Sequence, residues 1–133
     1  MLTITCEIVE EITAHAQREE PRECCGILAG KNNLITHIFK LTNIETDPEK
    51  YWMDPKEQIQ VFEEIDRLNL ELLGIYHSHL YSPPYPSSLD IMRAFYPKVA
   101  FFIISLLNRE KPELRAFHIV KRKVKEKRYE IQP

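Results

Sequence analysis

The chain has 133 residues and a formal net charge of −2, with acidic and basic residues mixed along its length. That length supports one domain with one hydrophobic core, so a single domain over residues 1–133 is expected. The mixed charge predicts no attraction to nucleic acid or membrane, no apolar run approaches the ~20 residues of a membrane span, and the N-terminus lacks a signal peptide, so a cytoplasmic location is expected.

The first elements in chain order are a strand, a helix and a hairpin. Leu2–Thr5 is predicted as a short strand, and Glu7–Arg18 has the apolar stripe of a helix. Cys24–Ala29 and Leu34–Leu41 are strand candidates, and the turn residues Gly30–Asn33 between them indicate a β-hairpin.

A second helix is predicted in the middle of the chain. Tyr51–Met53 is expected to form a brief strand, after which Asp54 and Pro55 open the helix as N-cap and first helical residue. This helix is expected to run to about Leu70. Its core-facing residues are predicted to be Ile59, Phe62, Ile65 and Leu68.

The remaining chain reads as strands around one more helix. Glu71–Ser78 is predicted as a buried strand, Ser88–Tyr96 as a helix and Val99–Leu107 as a central strand. Leu114–Val120 and Val124–Ile131 complete the sheet as a hairpin. The predicted fold class is α/β of the α+β type, a mixed and largely antiparallel sheet with flanking helices.

Two imidazoles and a carboxylate lie close together in the second half of the chain. His77 and His79 are two residues apart, so in a strand both point to the same face. A proline-rich loop can fold Asp90 back toward them. Two imidazoles and one carboxylate form a catalytic zinc set that leaves the fourth position for water. The alternative for Ser87 and Asp90 is a helix capping box, and both interpretations are compatible.

A zinc hydrolase also needs a residue that moves protons. Glu23 is the candidate because it directly precedes the apolar run Cys24–Leu28 and therefore lies at the edge of the core. The alternative is an ordinary solvated glutamate in a charged stretch.

These motifs together resemble the JAMM metallopeptidase family, also called the catalytic MPN domain. Its signature is an upstream Glu, then His-Ser/Thr-His, seven residues, and Ser-x-x-Asp. The chain matches it in Pro21–Gly30, Gly74–His79 and Pro86–Asp90, with seven residues between His79 and Ser87. One departure is Leu80, where most members have proline after the second histidine.

The resemblance assigns a role to each motif residue. It implies one Zn²⁺ per chain, bound by His77, His79 and Asp90. It implies that Glu23 is the acid/base acting on the zinc water, and that Ser87 stabilises the tetrahedral intermediate. The implied fold is the MPN fold, which is similar to that of cytidine deaminase.

The resemblance also implies a substrate. The chain lacks the long insertions of eukaryotic deubiquitinases and is similar to the short prokaryotic members, which act on ubiquitin-like β-grasp proteins, including sulfur carriers. The predicted reaction is cleavage after a C-terminal Gly-Gly. The partner protein, the choice of peptide or isopeptide bond and the oligomeric state stay open, a homodimer included.

Other function classes fit the sequence less well. A non-catalytic MPN scaffold usually lacks one or more of the motif residues that this chain keeps, and a general zinc peptidase differs only in its substrate. A zinc deaminase requires Pro-Cys-x-x-Cys, which is absent. Cys25 is expected to be a core residue and not a nucleophile, and all three cysteines are expected to be reduced.

Three further groups of residues are predicted to be structural. The basic stretch Lys121–Arg128 is expected to be a lysine-protected edge strand. Tyr51 and Trp52 are expected to pack in the core, with cleft lining as the alternative. Isolated surface or half-buried positions are expected for His15, His37 and His118.

Overall fold

The computed structural model describes residues 1–133 and contains eight strands and three helices. In chain order these are β1 (Leu2–Thr5), α1 (Cys6–Glu19), β2 (Cys25–Lys31), β3 (Leu34–Leu41), α2 (Pro55–Arg67), β4 (Glu71–His79), α3 (Ser88–Met92), β5 (Ala100–Ser105), β6 (Glu113–Val120), β7 (Lys123–Lys127) and β8 (Tyr129–Gln132). None of the helices is long and apolar enough to cross a membrane.

All eight strands form one mixed sheet in the order β7-β6-β5-β4-β2-β3-β1-β8. Four neighbouring pairs are antiparallel and three are parallel. The predicted fold class is confirmed. Strands β7 and β8 lie at opposite ends of the sheet although only Arg128 separates them in sequence, so the sheet must curl. The lysine-rich β7 is an edge strand, as expected.

Helices α1 and α2 pack on opposite sides of the sheet. Thr5 caps α1, whose stripe of Ile8, Ile12 and Ala16 is buried in one apolar cluster. Asp54 caps α2, which packs on a second cluster. Because side chains alternate along β4, Tyr76 belongs to the first cluster and Ile75 to the second.

The expected core face of α2 was partly wrong. Ile65 is buried and Phe62 packs against the second cluster, but Ile59 is 58% exposed and Leu68 is 37% exposed. Val61, like Phe62, packs against the second cluster. The helix is therefore rotated relative to the predicted stripe.

The hairpin between β2 and β3 forms as predicted. Asn32 and Asn33 at its turn have φ values of 53° and 62°, the left-handed conformation that asparagine tolerates best after glycine. The hairpin places β2 between β3 and β4 and thereby brings Cys25 opposite His77.

Two predicted elements are shorter in the structure. Tyr51–Met53 is not a strand and makes one isolated bridge, from Met53 to Asn43, because the Asn43 side chain accepts the Trp52 N–H that a strand neighbour would take. The helix predicted to reach Tyr96 ends at Met92, where Arg93 leaves the helix and donates to the Tyr51 carbonyl at 3.0 Å.

The predicted last strand is divided in two. Val124–Ile131 was expected to be one strand paired with its neighbour in a hairpin. Only β7 pairs with β6, and β8 instead runs parallel to β1 at the other end of the sheet. The curl of the sheet brings β1 within reach of the residues after Arg128, which sequence patterns do not indicate.

Candidate metal centre and active site

Three ligand atoms converge at the end of β4. The Nε2 atoms of His77 and His79 are 3.1 Å apart, and each is 3.1 Å from Oδ2 of Asp90. Both imidazoles are buried. The tertiary structure thus brings together the three residues that the sequence motif picked out.

The period of β4 and the start of α3 produce this arrangement. His77 and His79 lie two residues apart in an extended strand and share the face on which α2 packs. Asp90 is the third residue of α3, so its carboxylate turns back toward the N-cap residue Ser87.

The capping box and the ligand triangle use the same carboxylate. The Ser87 N–H donates to Oδ2 of Asp90 at 2.9 Å, and the Asp90 N–H donates to Oγ of Ser87 at 3.1 Å. Ser87 is therefore the N-cap of α3. Because Oγ of Ser87 only accepts a hydrogen bond here, its own O–H proton stays available as a donor.

The imidazole rings are held from outside the triangle. Nδ1 of His79 lies 3.0 Å from the Pro83 carbonyl oxygen and therefore carries the proton, which leaves the lone pair of Nε2 pointing into the triangle. The His77 ring stacks on Tyr51 with 4.3 Å between ring centroids, and Nδ1 of His77 has no partner.

This donor set fits a metal ion. Two imidazole nitrogens facing a carboxylate oxygen repel one another unless a proton or a cation lies between them. Ligands bound to tetrahedral zinc at 2.0–2.1 Å are about 3.3 Å apart, close to the 3.1 Å found for His77, His79 and Asp90. The triangle therefore matches the ligand spacing of a zinc site that has one open position.

The electrostatics of Asp90 and His79 reflect this closeness. Without a metal ion, burial raises the pKa of Asp90, but attraction to His77 and hydrogen bonds with both imidazoles and the Ser87 N–H hold it well below its usual range. Burial also lowers the pKa of His79, yet hydrogen bonds to Asp90 and the Pro83 carbonyl raise it overall. The carboxylate is therefore ionised at neutral pH and available as a ligand.

Glu23 lies next to the triangle, immediately before β2. Its side chain is 7% exposed, not solvated as the alternative interpretation had it. Its N–H donates to the Pro48 carbonyl at 3.0 Å, and its own carbonyl accepts from Nδ2 of Asn43 at 2.9 Å. Burial, with repulsion from Asp90 and two nearby acids, raises the pKa of Glu23 to about 9.

Glu23 shares a cavity of about 330 Å³ with part of the triangle. His79, Ser87 and Asp90 line the same cavity, and Lys50 lies on its wall. A buried carboxyl group, a hydroxyl group and two of the three triangle residues thus face one space that opens to solvent. This arrangement suits hydrolysis of a bond that enters the cavity.

Some functional contacts were not indicated by the sequence. Tyr51 packs against the second apolar cluster as expected, but it also stacks on the His77 ring, and Arg93 donates to the Tyr51 carbonyl. His15 was expected at a surface or half-buried position but is buried, with Nδ1 2.7 Å from the hydroxyl of Tyr76. No spacing rule predicts such long-range contacts.

The cysteines do not contribute a nucleophile. Cys24 and Cys25 are buried and unpaired, as predicted. Burial raises the pKa of Cys24 to about 12 and raises that of Cys25 further, so neither forms a thiolate at neutral pH.

Comparison with known proteins gives a consistent result. The sequence profile of the family described as "Prokaryotic homologs of the JAB domain" matches residues 6–120. The chain is 34% identical over 123 residues to the CysO-cysteine peptidase of Mycobacterium tuberculosis. This match covers 90% of this chain and 84% of that protein. It is 32% identical over 111 residues to the desampylase of Haloferax volcanii, covering 78% and 80%.

A solved structure matches almost the whole chain. The solution structure of a protein from Desulfitobacterium hafniense superposes with a TM-score of 0.90 at 34% identity. The match covers 99% of this chain and 93% of the other. The two proteins therefore share the same overall fold over almost the whole of this chain.

Proposed function

The chain belongs to the family of prokaryotic homologues of the JAB domain, and we propose that it is a zinc-dependent hydrolase of a peptide or isopeptide bond. The observation that supports this proposal best is the meeting of two imidazole nitrogens and a carboxylate oxygen at 3.1 Å, in a cavity shared with a buried glutamate. A single domain over residues 1–133 and a cytoplasmic location stay predictions.

The proposed metal ligands are His77, His79 and Asp90, which would hold one Zn²⁺ per chain. Bound zinc supplies Lewis acidity, which polarises a carbonyl and lowers the pKa of water toward neutrality. The chain itself keeps both imidazoles oriented through the Pro83 carbonyl and the Tyr51 ring. The Ser87 N–H keeps the carboxylate turned inward.

We assign proton transfer to Glu23 and oxyanion stabilisation to Ser87. Glu23 accepts the proton of the attacking water and passes it to the leaving nitrogen. Its carboxyl group must be ionised to do so, and a dication nearby favours the ionised form. The free O–H of Ser87 donates to the oxyanion of the tetrahedral intermediate.

The proposed substrate is a ubiquitin-like or sulfur-carrier β-grasp protein with a C-terminal Gly-Gly tail. The names of two relatives support this substrate class, since one is a CysO-cysteine peptidase and the other is a desampylase. Glycine lets a backbone approach the buried ligand triangle where side chains would clash. Cleavage after Gly-Gly would release a C-terminal extension, an attached amino acid such as cysteine, or a conjugated lysine.

The reaction is tested with Glu23→Gln. This variant keeps the size of the side chain and a hydrogen bond but cannot take a proton. In the zinc-loaded protein, zinc content and melting temperature should stay near wild type while cleavage falls by at least ~100-fold. Near-normal turnover would show that another residue is the base.

The substrate is tested with a carrier protein that bears a short C-terminal extension. Mass spectrometry of the product should show cleavage directly after Gly-Gly, and replacing Gly-Gly by Ala-Ala should block it. Equal cleavage of both carriers, or of unrelated unfolded proteins, would favour a general zinc peptidase. No cleavage by the zinc-loaded wild type would favour the non-catalytic scaffold.

A further inference from the structure

Ser78, the residue between the two histidines, connects the histidine strand to Glu23. It is fully buried, and because side chains alternate along β4 it points away from the face that holds His77 and His79. Its Oγ accepts the N–H of Cys24 at 2.8 Å. Cys24 directly follows Glu23 in the chain.

A second hydrogen bond joins the same two residues. The Ser78 N–H donates to the Cys24 carbonyl at 3.2 Å. Regular pairing between β2 and β4 begins one residue later, at Cys25 and His77. Ser78 therefore extends the attachment of the two strands to the residue adjoining Glu23, at the point where the sheet ladder has already ended.

The Glu23 backbone is fixed on its other side by loop residues. Its N–H binds the Pro48 carbonyl and its carbonyl binds the Asn43 side chain. The Ser78 hydrogen bonds to Cys24, one residue beyond Glu23, instead lead to the strand that carries the two imidazoles, next to the ladder pair of Cys25 and His77. Ser78 thus provides the link between the two strands that lies nearest to Glu23.

We propose that Ser78 is a positioning residue that holds Glu23 at its working distance from His77 and His79. This inference rests on the proposed hydrolase function and deepens it. Ser78 touches neither substrate nor metal and acts through Glu23 alone. The structural requirement is an acceptor oxygen at this side chain, because without it the buried N–H of Cys24 has no partner and residues 23 and 24 relax toward water.

The test uses Ser78→Ala, with Ser78→Thr as the variant that keeps the oxygen. Ser78→Ala should bind zinc as wild type does, since the ligands lie on the other face, and should keep KM within about threefold. Its kcat should fall by roughly 10- to 100-fold, the scale of a misplacement near 1 Å. Ser78→Thr should recover most of that loss.

Tyr76→Phe is the matched control for a merely structural role. Tyr76 lies two residues earlier on the same face of β4, is fully buried, and its hydroxyl is hydrogen-bonded to His15. Removing that hydroxyl should lower the melting temperature as Ser78→Ala does, with kcat within about twofold of wild type. Equal kcat losses in both variants would refute the positioning role.

A double variant separates action through Glu23 from any other effect. In a Glu23→Gln background, Ser78→Ala should cause no further loss of kcat, because the group that it positions is already disabled. A further 10- to 100-fold loss there would overturn the inference. Unchanged kcat in the single Ser78→Ala variant would overturn it as well.

A crystal structure of Ser78→Ala decides the matter independently of turnover. The Glu23 carboxylate should be displaced relative to His77 and His79, while Tyr76→Phe leaves it in place. An unmoved Glu23 would refute the inference even if the wild-type protein proved to be no hydrolase. Failure of the wild type to cleave any carrier would count against the proposed function alone.

Discussion

Glutamine in place of Glu23 should remove a large pH dependence from the stability of the metal-free protein. Burial, together with repulsion from Asp90, Glu49 and Asp47, raises the pKa of Glu23 from 4.5 to about 9 in the folded chain. The folded protein therefore binds this proton more tightly than the unfolded chain does. The stabilisation that this proton contributes is fully present below about pH 4.5 and is lost as the pH rises toward 9.

The size of the effect follows from the two pKa values. Their difference corresponds to about 6 kcal/mol at 1.36 kcal/mol per pKa unit, an upper limit because the cavity is open to water. We expect a loss of about 2–6 kcal/mol of unfolding free energy between pH 5 and pH 9. The raised pKa of His79 also lowers the stability of the protein as the pH rises above the ordinary pKa of histidine. The lowered pKa of Asp90 affects the stability only under acidic conditions.

The assay is urea unfolding at pH 5 to 9 with a chelator present, for wild type, Glu23→Gln and Glu49→Gln. Glutamine cannot ionise, so Glu23→Gln should lose most of the slope while the contribution of His79 remains in both proteins. Glu49→Gln removes an exposed carboxylate of the same cavity and should keep most of the slope. Parallel curves for wild type and Glu23→Gln would refute the assignment of a buried, protonated Glu23.

Three further predictions concern the metal, the oxyanion and the core. Purified protein should contain about one equivalent of zinc, and Asp90→Ala should lower the zinc content strongly because three protein ligands leave no redundancy. Full zinc occupancy in a variant with both His77→Ala and His79→Ala would contradict the proposed site. Ser87→Ala should reduce kcat by about ten- to a thousandfold with zinc content unchanged, as measured by steady-state cleavage. Gly26→Ala would place a Cβ 2.3 Å from Cε1 of Tyr76. That Cβ would also lie 2.5 Å from the Phe39 carbonyl oxygen. Urea unfolding should show a loss of roughly 1–3 kcal/mol in unfolding free energy. Wild-type stability would mean that both the Tyr76 ring and the Phe39 backbone move aside freely.

The sequence by itself was enough to predict the residues of the candidate centre. A period of two fixes where the side chains of His77 and His79 point in any extended strand, so their shared face needs no tertiary information. The cap at Ser87 is equally local, because it joins residues three apart. The same local rules predicted the hairpin at Asn32 and Asn33 and the start of α2.

Contacts between residues far apart in sequence were decided only by the tertiary structure. The sequence left Asp90 as a metal ligand or as part of a helix cap. The fold brings α3 against β4, so that Oδ2 of Asp90 both faces His77 and accepts the Ser87 N–H. The sequence also left Glu23 between a solvated and a buried position, and the fold buries it, with its backbone hydrogen-bonded to Pro48 and Asn43. The pKa of that carboxyl group depends on desolvation and on charges from other segments of the chain.

The larger errors have the same origin. Ile59 matched a helical stripe but is exposed, because the rotation of α2 is set by the surface on which it packs. The stretch Val124–Ile131 matched one strand, but the curled sheet offers β1 as a new neighbour after Arg128. Periodicity determines which side chains share a face. Which face meets which neighbour is decided by how the whole sheet twists and closes, because twist accumulates over all eight strands and is not encoded in any one of them.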